Sequence, residues 1–204
     1  MSKRLNAKKK VSRVFGVNLW GKTNDPSLKR NYRPGQHGTG LKRDTTYGIQ
    51  LKAKQKLKKY YGNIGEKQFS NLFFEAKRLK GDTAENFVGL LERRLDIIVY
   101  RANFVPTVFA SRQFINHKHV LVNGKVVNIP SYLVKVGDVI EIKESAKNIP
   151  MVVDSIEKME REVPNYLEVN TSVKSVKFLN VPKLEEIPYA TQMDLNAVVE
   201  FYSK

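Results

Sequence analysis

The sequence predicts an α+β protein that begins with helices and continues with short strands. Apolar residues recur at helical spacing from Ile49 to about His117, and in the stretch VLVNGKVV, at 120–127, they alternate instead. Asn123-Gly124 in that stretch is typical of a two-residue hairpin turn, because both turn positions have positive φ. A chain of 204 residues, 41% of them hydrophobic, is long enough for one large or two small buried cores.

The N-terminal 48 residues are predicted to form a loop-rich basic arm. They are rich in Lys, Arg, Gly, Pro and Asn and show no sustained hydrophobic period, so the arm is expected to order on a partner. From Ile49 a helix is predicted to run to Tyr61, with Gly62 ending it. A second helix is predicted to begin near Glu66, with its aromatic residues facing a core.

A third helix is predicted from Asp82 to Ala102. Asp82 and the glutamate three residues later have the spacing of a capping box, and apolar residues as far as Ala102 share one face. A proline then interrupts the helical pattern. Thr107 is the predicted cap of a shorter helix that ends at about His117.

The C-terminal part is predicted to consist mainly of short strands. A strand follows the hairpin in VGDVIEIKE (136–144), and a short polar helix is predicted over about Val152 to Glu162. Three further strands are predicted in YLEV (166–169), VKFL (176–179) and NAVVEFY (196–202).

The positive charge of the chain is concentrated near its N-terminus. The formal net charge is +16. Residues 1–80 contain 21 Lys and Arg against four acidic residues, a net charge of +17, whereas residues 81–204 contain 15 against 16, a net charge of −1. This distribution favours a polyanionic partner such as RNA and opposes self-association, so no homo-oligomer is expected. The alternative interpretation is a solvated basic tail.

Composition also excludes several classes of protein. The chain has no cysteine, which excludes disulfides, thiolate catalysis and Cys-ligated zinc. No apolar run reaches the ~18 residues that a membrane-spanning helix needs, so no membrane partner is expected. The segment GQHGTG (35–40) lacks the Lys-Ser/Thr and the preceding strand of a P-loop. Its glycines allow backbone amides to approach phosphates, and a flexible turn is the alternative.

His117 and His119 are the candidate ligands for a metal. Two histidines at i and i+2 can share a metal when they lie on a strand, but these two straddle a predicted helix end and strand start. No metal or other cofactor is therefore expected, and surface contacts or helix termination are the favoured roles.

Asp96, in RRLD, is a candidate catalytic residue because pseudouridine synthases carry their catalytic aspartate in an Arg-Leu-Asp triplet. No Gly-rich or pocket-forming sequence lies near it here. The favoured interpretation is a helix residue beside Arg93 or Arg94, and the chain is expected not to be an enzyme.

The helix predicted in TVFASRQFINHKH (107–119) carries a mixed set of hydrogen-bond donors. At helical spacing Arg112, Asn116 and His119 lie on one side, with Gln113 and Lys118 at the margins. Such side chains suit contacts with phosphate and ribose. An ordinary solvated helix face is the alternative.

Longer stretches carry a family resemblance. The stretch ERRLDIIVYRANFVPTVFASRQFINHKHVLVNGKVVNIPSYLVKVGDVIEI (92–142) resembles the S4-type RNA-binding module, in which two helices pack on a short antiparallel sheet. The segments YRPGQHG, YGIQLKAKQKLKKYYG, EKQF, GDTAENFVGLLERRLD and VVEFYSK resemble, in order, the bacterial uS-four family of small-subunit ribosomal proteins in its cysteine-free form. NFVPTVFASRQF, NIPSY and VPNYLEV are most similar to alphaproteobacterial members.

The resemblance implies an architecture and a role. It implies a basic loop-rich arm (1–48), a helical body (49–92), an inserted S4-type module (93–154) and a C-terminal segment that packs back on the body (155–204). The implied function is a structural constituent of the small ribosomal subunit, which binds the 5′ domain of small-subunit ribosomal RNA and nucleates its folding. An RNA-binding translational repressor, or an RNA-modifying enzyme with an S4-type module, is the alternative.

The resemblance also implies partners and contact residues. The partners are small-subunit ribosomal RNA, the neighbouring protein uS-five and messenger RNA where it enters the subunit, with a contribution to translational accuracy. The implied location is cytoplasmic and ribosome-bound, an organellar ribosome being the other setting. On the module, the RNA-binding residues are Arg94, Arg112, Gln113, His117, Lys118, His119, Asn123 and Lys125. On the N-terminal part they are Gln36, His37, Lys42, Arg43, Lys52, Lys54 and Lys56.

Overall fold

A computed structural model describes residues 10–40 and 44–203. The chain forms two compact units: the first comprises residues 1–74 and 189–204, and the second comprises residues 75–188. The four-part division expected from the sequence has boundaries after residues 48, 92 and 154, so the two divisions differ. Compact units follow contacts between elements, and elements far apart in sequence can belong to one unit.

The described residues contain α-helices and short strands joined by turns and loops. The helices are α1 (Lys10–Phe15), α2 (Thr46–Tyr60), α3 (Glu66–Arg78), α4 (Thr83–Glu92), α5 (Leu95–Arg101), α6 (Val108–Asn116), α7 (Pro150–Lys158) and α8 (Leu195–Ser203). The strands are β1 (Val120–Val122), β2 (Lys125–Val126), β3 (Val139–Ile142), β4 (Leu167–Asn170) and β5 (Ser175–Phe178). This mixture of helices and antiparallel strands confirms the predicted α+β class.

In the first unit, α2 begins where the sequence supplies a cap. The Thr45 hydroxyl accepts a hydrogen bond from the Gly48 amide (3.1 Å). The helix ends just before Gly62, whose φ of 74° lies in the left-handed region that favours glycine. Leu57 and Tyr60 on this helix are buried. The predicted helix is confirmed, with its start three residues earlier.

The C-terminal segment NAVVEFY is helical, so the strand predicted there is wrong. Asp194 caps α8, since its carboxylate accepts a hydrogen bond from the Ala197 amide (3.0 Å), and Leu195 and Val198 are buried. A composition rich in Val, Phe and Tyr favours a strand locally. Packing on α2 within the same unit favours the helical spacing of these residues instead.

Specific polar contacts hold the N-terminal arm. Ser12 on α1 donates a hydrogen bond to the Asp25 carboxylate (2.6 Å), and both side chains are buried. The other Asp25 oxygen accepts hydrogen bonds from the backbone amide (2.9 Å) and the hydroxyl (2.7 Å) of Ser27. Nε1 of Trp20 donates to the Tyr60 carbonyl (3.2 Å), which joins the arm to α2.

In the second unit, the third predicted helix is interrupted at residues 93–94, so the prediction of one continuous helix is wrong. The interruption arises because this point pairs with the chain beyond the hairpin. The Val134 amide donates to the Arg93 carbonyl (2.8 Å), and the Leu95 amide donates to the Tyr132 carbonyl (2.9 Å). Pairing between distant segments therefore overrides the helical spacing of the apolar residues.

The described strands form an antiparallel sheet in the order β2-β1-β3-β5-β4. The predicted hairpin is confirmed, because Val122 pairs with Lys125, and Asn123 and Gly124 between them have φ values of 49° and 76°. The strands predicted after the hairpin, in YLEV and in VKFL are confirmed as β3, β4 and β5.

The core of the second unit lies between this sheet and the helices α5 and α6. Ile98 on α5 and Phe114 on α6 share this core with Ile140 and Phe178 from the sheet. α7 ends four residues before the predicted position, where Met159 adopts a left-handed conformation (φ 38°). No helix among residues 10–40 and 44–203 is both long and apolar enough to cross a membrane.

Candidate nucleic-acid interface

The local sequence gives α6 one buried face and one exposed face. Thr107 caps the helix, since its hydroxyl accepts a hydrogen bond from an amide of the first turn (3.0 Å). Phe114 and Ile115 are buried in the core, whereas Gln113 and Asn116 are exposed. Packing of the apolar face therefore holds a row of polar side chains in fixed positions at the surface.

A buried carboxylate, that of Asp96, interacts with two arginines. Arg94 donates from Nε to Oδ1 (3.0 Å) and from Nη2 to Oδ2 (2.8 Å). Nε of Arg112 lies 3.7 Å from Oδ2. The Ser111 hydroxyl donates to the Asp96 carbonyl (2.6 Å). Asp96 is therefore a helix residue beside Arg94, as the favoured interpretation of RRLD predicts, and guanidinium groups lie close to both of its carboxylate oxygens.

Arg94 does not lie at the surface, which corrects its predicted place on the RNA face. Its side chain is only 1% exposed, whereas 23% of the Arg112 side chain is exposed. A buried guanidinium that left Asp96 for a phosphate would leave the carboxylate uncompensated. Arg112 is thus the arginine of this ion-pair cluster that meets solvent.

The two histidines at the end of α6 have different surroundings. His117 is exposed, and Lys118 with φ 63° turns the chain toward β1. The His119 ring packs on Phe114, with 4.9 Å between ring centroids, and lies 5.9 Å from the His117 ring. Partial burial, assisted by the charges of His117 and Lys143, lowers the pKa of His119.

The described residues contain no group of three His, Asp or Glu side chains arranged as metal ligands. At neutral pH a His119 with a lowered pKa is uncharged and offers one donor and one acceptor nitrogen. His119 is therefore suited to hydrogen bonding with a polar ligand at the surface, and the exposed His117 lies beside it.

The hairpin tip contains one structural residue and one exposed cation. Asn123 donates from Nδ2 to Asp138 Oδ1 (2.9 Å), and its Oδ1 accepts from the Val139 amide (2.9 Å). Its side-chain amide is therefore engaged within the second unit. Lys125 on β2 is exposed. Of these two predicted contacts, Lys125 has an exposed charge and remains a predicted RNA contact, whereas Asn123 stabilises the turn before it.

The exposed and partly exposed donors of α6 and the turn after it are here named the donor strip. Its members are Arg112, Gln113, Asn116, His117, Lys118 and His119. Lys143 lies beside the strip, because its amide donates to the His119 carbonyl (2.9 Å), and the sequence analysis missed it. Its position follows from the pairing of β1 with β3, so no local sequence pattern indicates it.

Lys54 is buried in the first unit, which corrects its predicted place on the RNA face. It is 7% exposed, and its Nζ lies 2.6 Å from Glu66 Oε1 and 4.3 Å from the Phe201 ring centroid. Lys58 pairs with the other Glu66 oxygen (2.7 Å). Burial by itself raises the pKa of Glu66, but the hydrogen bonds from the two lysines outweigh it and lower that pKa to about 2.

Lys52 and Lys56 are partly exposed, and each has a partner in the first unit. Lys52 forms an ion pair with Asp44, and Lys56 donates to the Gln192 carbonyl (2.6 Å). Partial burial lowers the pKa of Lys56. Exposed ion pairs of this kind are weak, and Lys52 and Lys56 remain predicted RNA contacts.

The remaining predicted contacts belong to the arm. Gln36 and His37 are exposed in the turn from Gly35 to Gly38, and a second hydrogen-bonded turn runs from His37 to Gly40. Lys42 and Arg43 lie outside the described residues. The structure therefore leaves the arm with exposed polar side chains around its glycine-rich turns.

Comparison with known proteins places similarity along the whole chain. The family model described as Ribosomal protein S4/S9 N-terminal domain matches residues 3–92, and the S4 domain model matches residues 93–140. The small ribosomal subunit protein uS4 of Azorhizobium caulinodans is 57% identical over 205 aligned residues, which cover 100% of both chains. The proteins of the same name from Ruegeria pomeroyi and Xanthobacter autotrophicus are 56% and 55% identical, again over 100% of both chains.

Proposed function

The chain belongs to the uS4 family of small ribosomal subunit proteins, and we propose that it is a structural component of that subunit which binds ribosomal RNA. The observation that carries the proposal is identity of 55% to 57% to proteins of that name over their full length. The polar surface of the second unit and the charge of the first give this function a physical basis.

The first unit supplies the long-range attraction to RNA. It contains 19 Lys and Arg against five Asp and Glu, a net charge of +14, whereas the second unit contains 17 against 15, a net charge of +2. Side chains that neutralise RNA phosphates release condensed counterions, and this release supplies most of the affinity that does not depend on sequence. The first unit is therefore the main source of the salt dependence of binding.

The second unit supplies contacts in a fixed geometry. Arg112 and Lys118 in the donor strip suit phosphates, while the amides of Gln113 and Asn116 suit ribose hydroxyls and phosphate oxygens. Because α6 is anchored on the sheet by its apolar face, these donors keep their spacing when RNA binds. A rigid set of donors of this kind recognises a folded RNA by its shape.

The proposed RNA target is the 5′ domain of small-subunit ribosomal RNA, whose folding the protein nucleates. The protein uS-five, and messenger RNA where it enters the subunit, are the further proposed partners, with an effect on translational accuracy. The protein acts ribosome-bound, in the cytoplasm or in an organelle. The ordered resemblance of motifs from YRPGQHG to VVEFYSK supports these assignments.

The enzymatic and regulatory alternatives are not favoured. The catalytic candidate Asp96 is 0% exposed, and Arg94 donates to both of its oxygens. A translational repressor is present in smaller amounts than ribosomes, whereas a structural component co-sediments with small subunits at close to one copy each. The full-length relatives are named as subunit proteins.

The proposal is tested by titrating a 5′-domain RNA fragment with the full-length protein across a salt series, beside an unrelated folded RNA of equal length. We expect preference for the fragment and a log-log salt slope of roughly −0.7 to −0.9 per phosphate, for about six to ten contacts. Equal affinity for the two RNAs would overturn the proposal.

A further inference from the structure

The N-terminal arm forms a basic cleft that is lined by none of the predicted RNA-contact residues. The cleft has a volume of about 390 Å³ and lies within the first unit. Its walls include three arginines, a tyrosine and two glycines, namely Arg13, Arg30, Arg33, Tyr32, Gly38 and Gly40. Such a cleft is too small for a duplex, and its volume is in the range of small-ligand sites.

Arg13 on α1 fixes the position of the tyrosine in this cleft. Its Nε donates to the Tyr32 carbonyl (3.1 Å), and its Nη2 donates to the Arg33 carbonyl (3.3 Å). The guanidinium carbon of Arg13 also lies 4.8 Å from the centroid of the Tyr32 ring. Tyr32 is nevertheless 45% exposed, so its ring is held on one side by a cation and remains open to a ligand.

The glycine of the next turn keeps this site compact. A Cβ on Gly38 would lie 1.9 Å from the Arg33 carbonyl oxygen, so the turn at Gly38 accepts no side chain without displacement of the backbone. The backbone at Gly38 therefore lies close to the backbone of Arg33 and Gly35.

The charge of the cleft is positive. None of the residues that line it is acidic, and Arg30 is exposed while Arg33 is half-buried. The carboxylate nearest in sequence, Asp25, accepts hydrogen bonds from Ser12 and Ser27. Arg30 and Arg33 thus present guanidinium groups beside an exposed aromatic ring, the combination that binds a phosphate together with a base.

We infer that this cleft binds one unpaired nucleotide of RNA, with the base stacked on Tyr32 and the adjoining phosphate held by Arg30 and Arg33. An unpaired nucleotide is favoured because only an unstacked base can lie flat on an aromatic ring. The inference rests on the proposed function, since it names a site for the same RNA. The N-terminal arm would then contribute selection of an unpaired nucleotide in addition to positive charge.

The test uses the full-length chain with Tyr32→Phe, Tyr32→Leu and the double variant Arg30→Ala/Arg33→Ala. Tyr47→Leu is the control for loss of an exposed tyrosine, and Lys77→Ala/Arg78→Ala is the control for loss of two exposed charges. Each protein is titrated with the 5′-domain RNA fragment and with a fully paired RNA duplex of equal length. Circular dichroism checks that each variant keeps its fold.

We expect Tyr32→Leu to bind the fragment about ten-fold more weakly, the loss typical of one base–aromatic stack, and Tyr32→Phe to bind as the wild type does. Binding to the duplex should be unchanged by Tyr32→Leu, because a paired base cannot enter the cleft. The double arginine variant should weaken fragment binding more than its control does.

Two results would overturn the inference. One is wild-type affinity of Tyr32→Leu for the fragment, and the other is an equal loss for fragment and duplex. A different result would overturn the proposed function itself. In that case the wild-type protein would bind the 5′-domain fragment no more tightly than an unrelated folded RNA.

Discussion

Arg94 and Arg112 both approach the carboxylate of Asp96, yet they meet solvent to different extents. Arg94 is enclosed with its partner, and Arg112 extends to the surface beside Gln113. Two lysines differ in exposure in the same way: Lys54 is buried against Glu66, whereas Lys125 is exposed. At the residue scale, burial therefore decides which cations of this chain are available to RNA.

The first prediction concerns the exposed cations. Arg112→Ala and Lys125→Ala should each weaken binding of the 5′-domain fragment and reduce the magnitude of the log-log salt slope by roughly 0.7 to 0.9, the amount for one phosphate contact. Lys125→Ala should leave the urea midpoint nearly unchanged, because Lys125 is exposed. Arg112→Ala should lower the midpoint modestly without unfolding the protein, because it removes one cation from beside the buried Asp96 carboxylate. Unchanged affinity in both variants would exclude the donor strip and the hairpin from the interface.

The second prediction concerns the buried arginine. Arg94→Ala should lower the free energy of unfolding by about 3 kcal/mol, because removal of one partner leaves the Asp96 carboxylate buried. The nearby Arg112 guanidinium offsets part of the loss, so the lower end of the usual range is expected. Urea unfolding measures the change. A variant as stable as the wild type would show that the pair does not contribute to the fold.

The third prediction concerns the pH dependence of the Lys54–Glu66 pair. The pKa of Glu66 is lowered from its ordinary value of 4.5 to about 2, so its ionised form stabilises the folded state. This contribution is fully present above about pH 5 and is lost as the pH falls from 4.5 toward 2. Because half of the Glu66 side chain is exposed, about 1 kcal/mol or less is expected.

Glu66→Gln is the matched variant for this prediction. Its melting temperature should lie below that of the wild type at pH 6, and the difference should shrink as the pH approaches 3. A difference that stays constant between these pH values would contradict an ionised Glu66 as the source of the stability.

At the scale of elements, capping side chains fix the start of several helices, including α2, α4 and α6. Thr45, Asp82 and Thr107 each accept a backbone hydrogen bond at the first turn of a helix, and each precedes a helix at its predicted or nearly predicted start. The helix that carries the donor strip depends on the last of these caps. The position of α6 is therefore determined at its N-terminus by the Thr107 cap and along its length by packing of its apolar face on the core.

The fourth prediction tests this cap. Thr107→Ala should destabilise the protein by about 1 kcal/mol, since the amide that the hydroxyl satisfies loses its partner. Thr107→Ser keeps the hydroxyl and should retain most of the stability. Thermal unfolding compares the two variants. Equal destabilisation by serine and alanine would show that the methyl group, not the cap, is responsible.

At the scale of the whole molecule, charge and donor geometry lie in different compact units. The first unit has a net charge of +14 and the second +2, while the donor strip belongs to the second. Since phosphate neutralisation scales with the number of cations in contact, the two units are expected to contribute differently to salt dependence and to selectivity.

The fifth prediction separates these contributions. A fragment of residues 75–188, the second compact unit, should lose most of the salt slope of the full-length protein for the 5′-domain RNA. Circular dichroism and a urea midpoint establish whether the fragment is folded before it is titrated. A folded fragment with the full-length slope would assign the phosphate contacts to the second unit.

Local sequence patterns predicted much of the fold because they depend on neighbouring residues. Asn123-Gly124 predicted the hairpin through its φ requirement, helical spacing predicted α2 and α3, and the Thr107 cap predicted the start of α6. The excess of cations in the first 80 residues predicted a polyanionic partner without reference to any fold. These features are determined by the sequence alone, because each results from backbone geometry within a few residues or from total charge.

Only the tertiary structure decided which residues are exposed and where helices are interrupted. The pairing of Arg93 with Val134 divides α4 from α5, and packing on α2 makes the C-terminal segment helical. The same contacts bury Lys54 and Arg94, which a sequence pattern cannot distinguish from Lys125. Burial and pairing join residues far apart in the chain, so they are set by the packing of the folded molecule and not by local propensity.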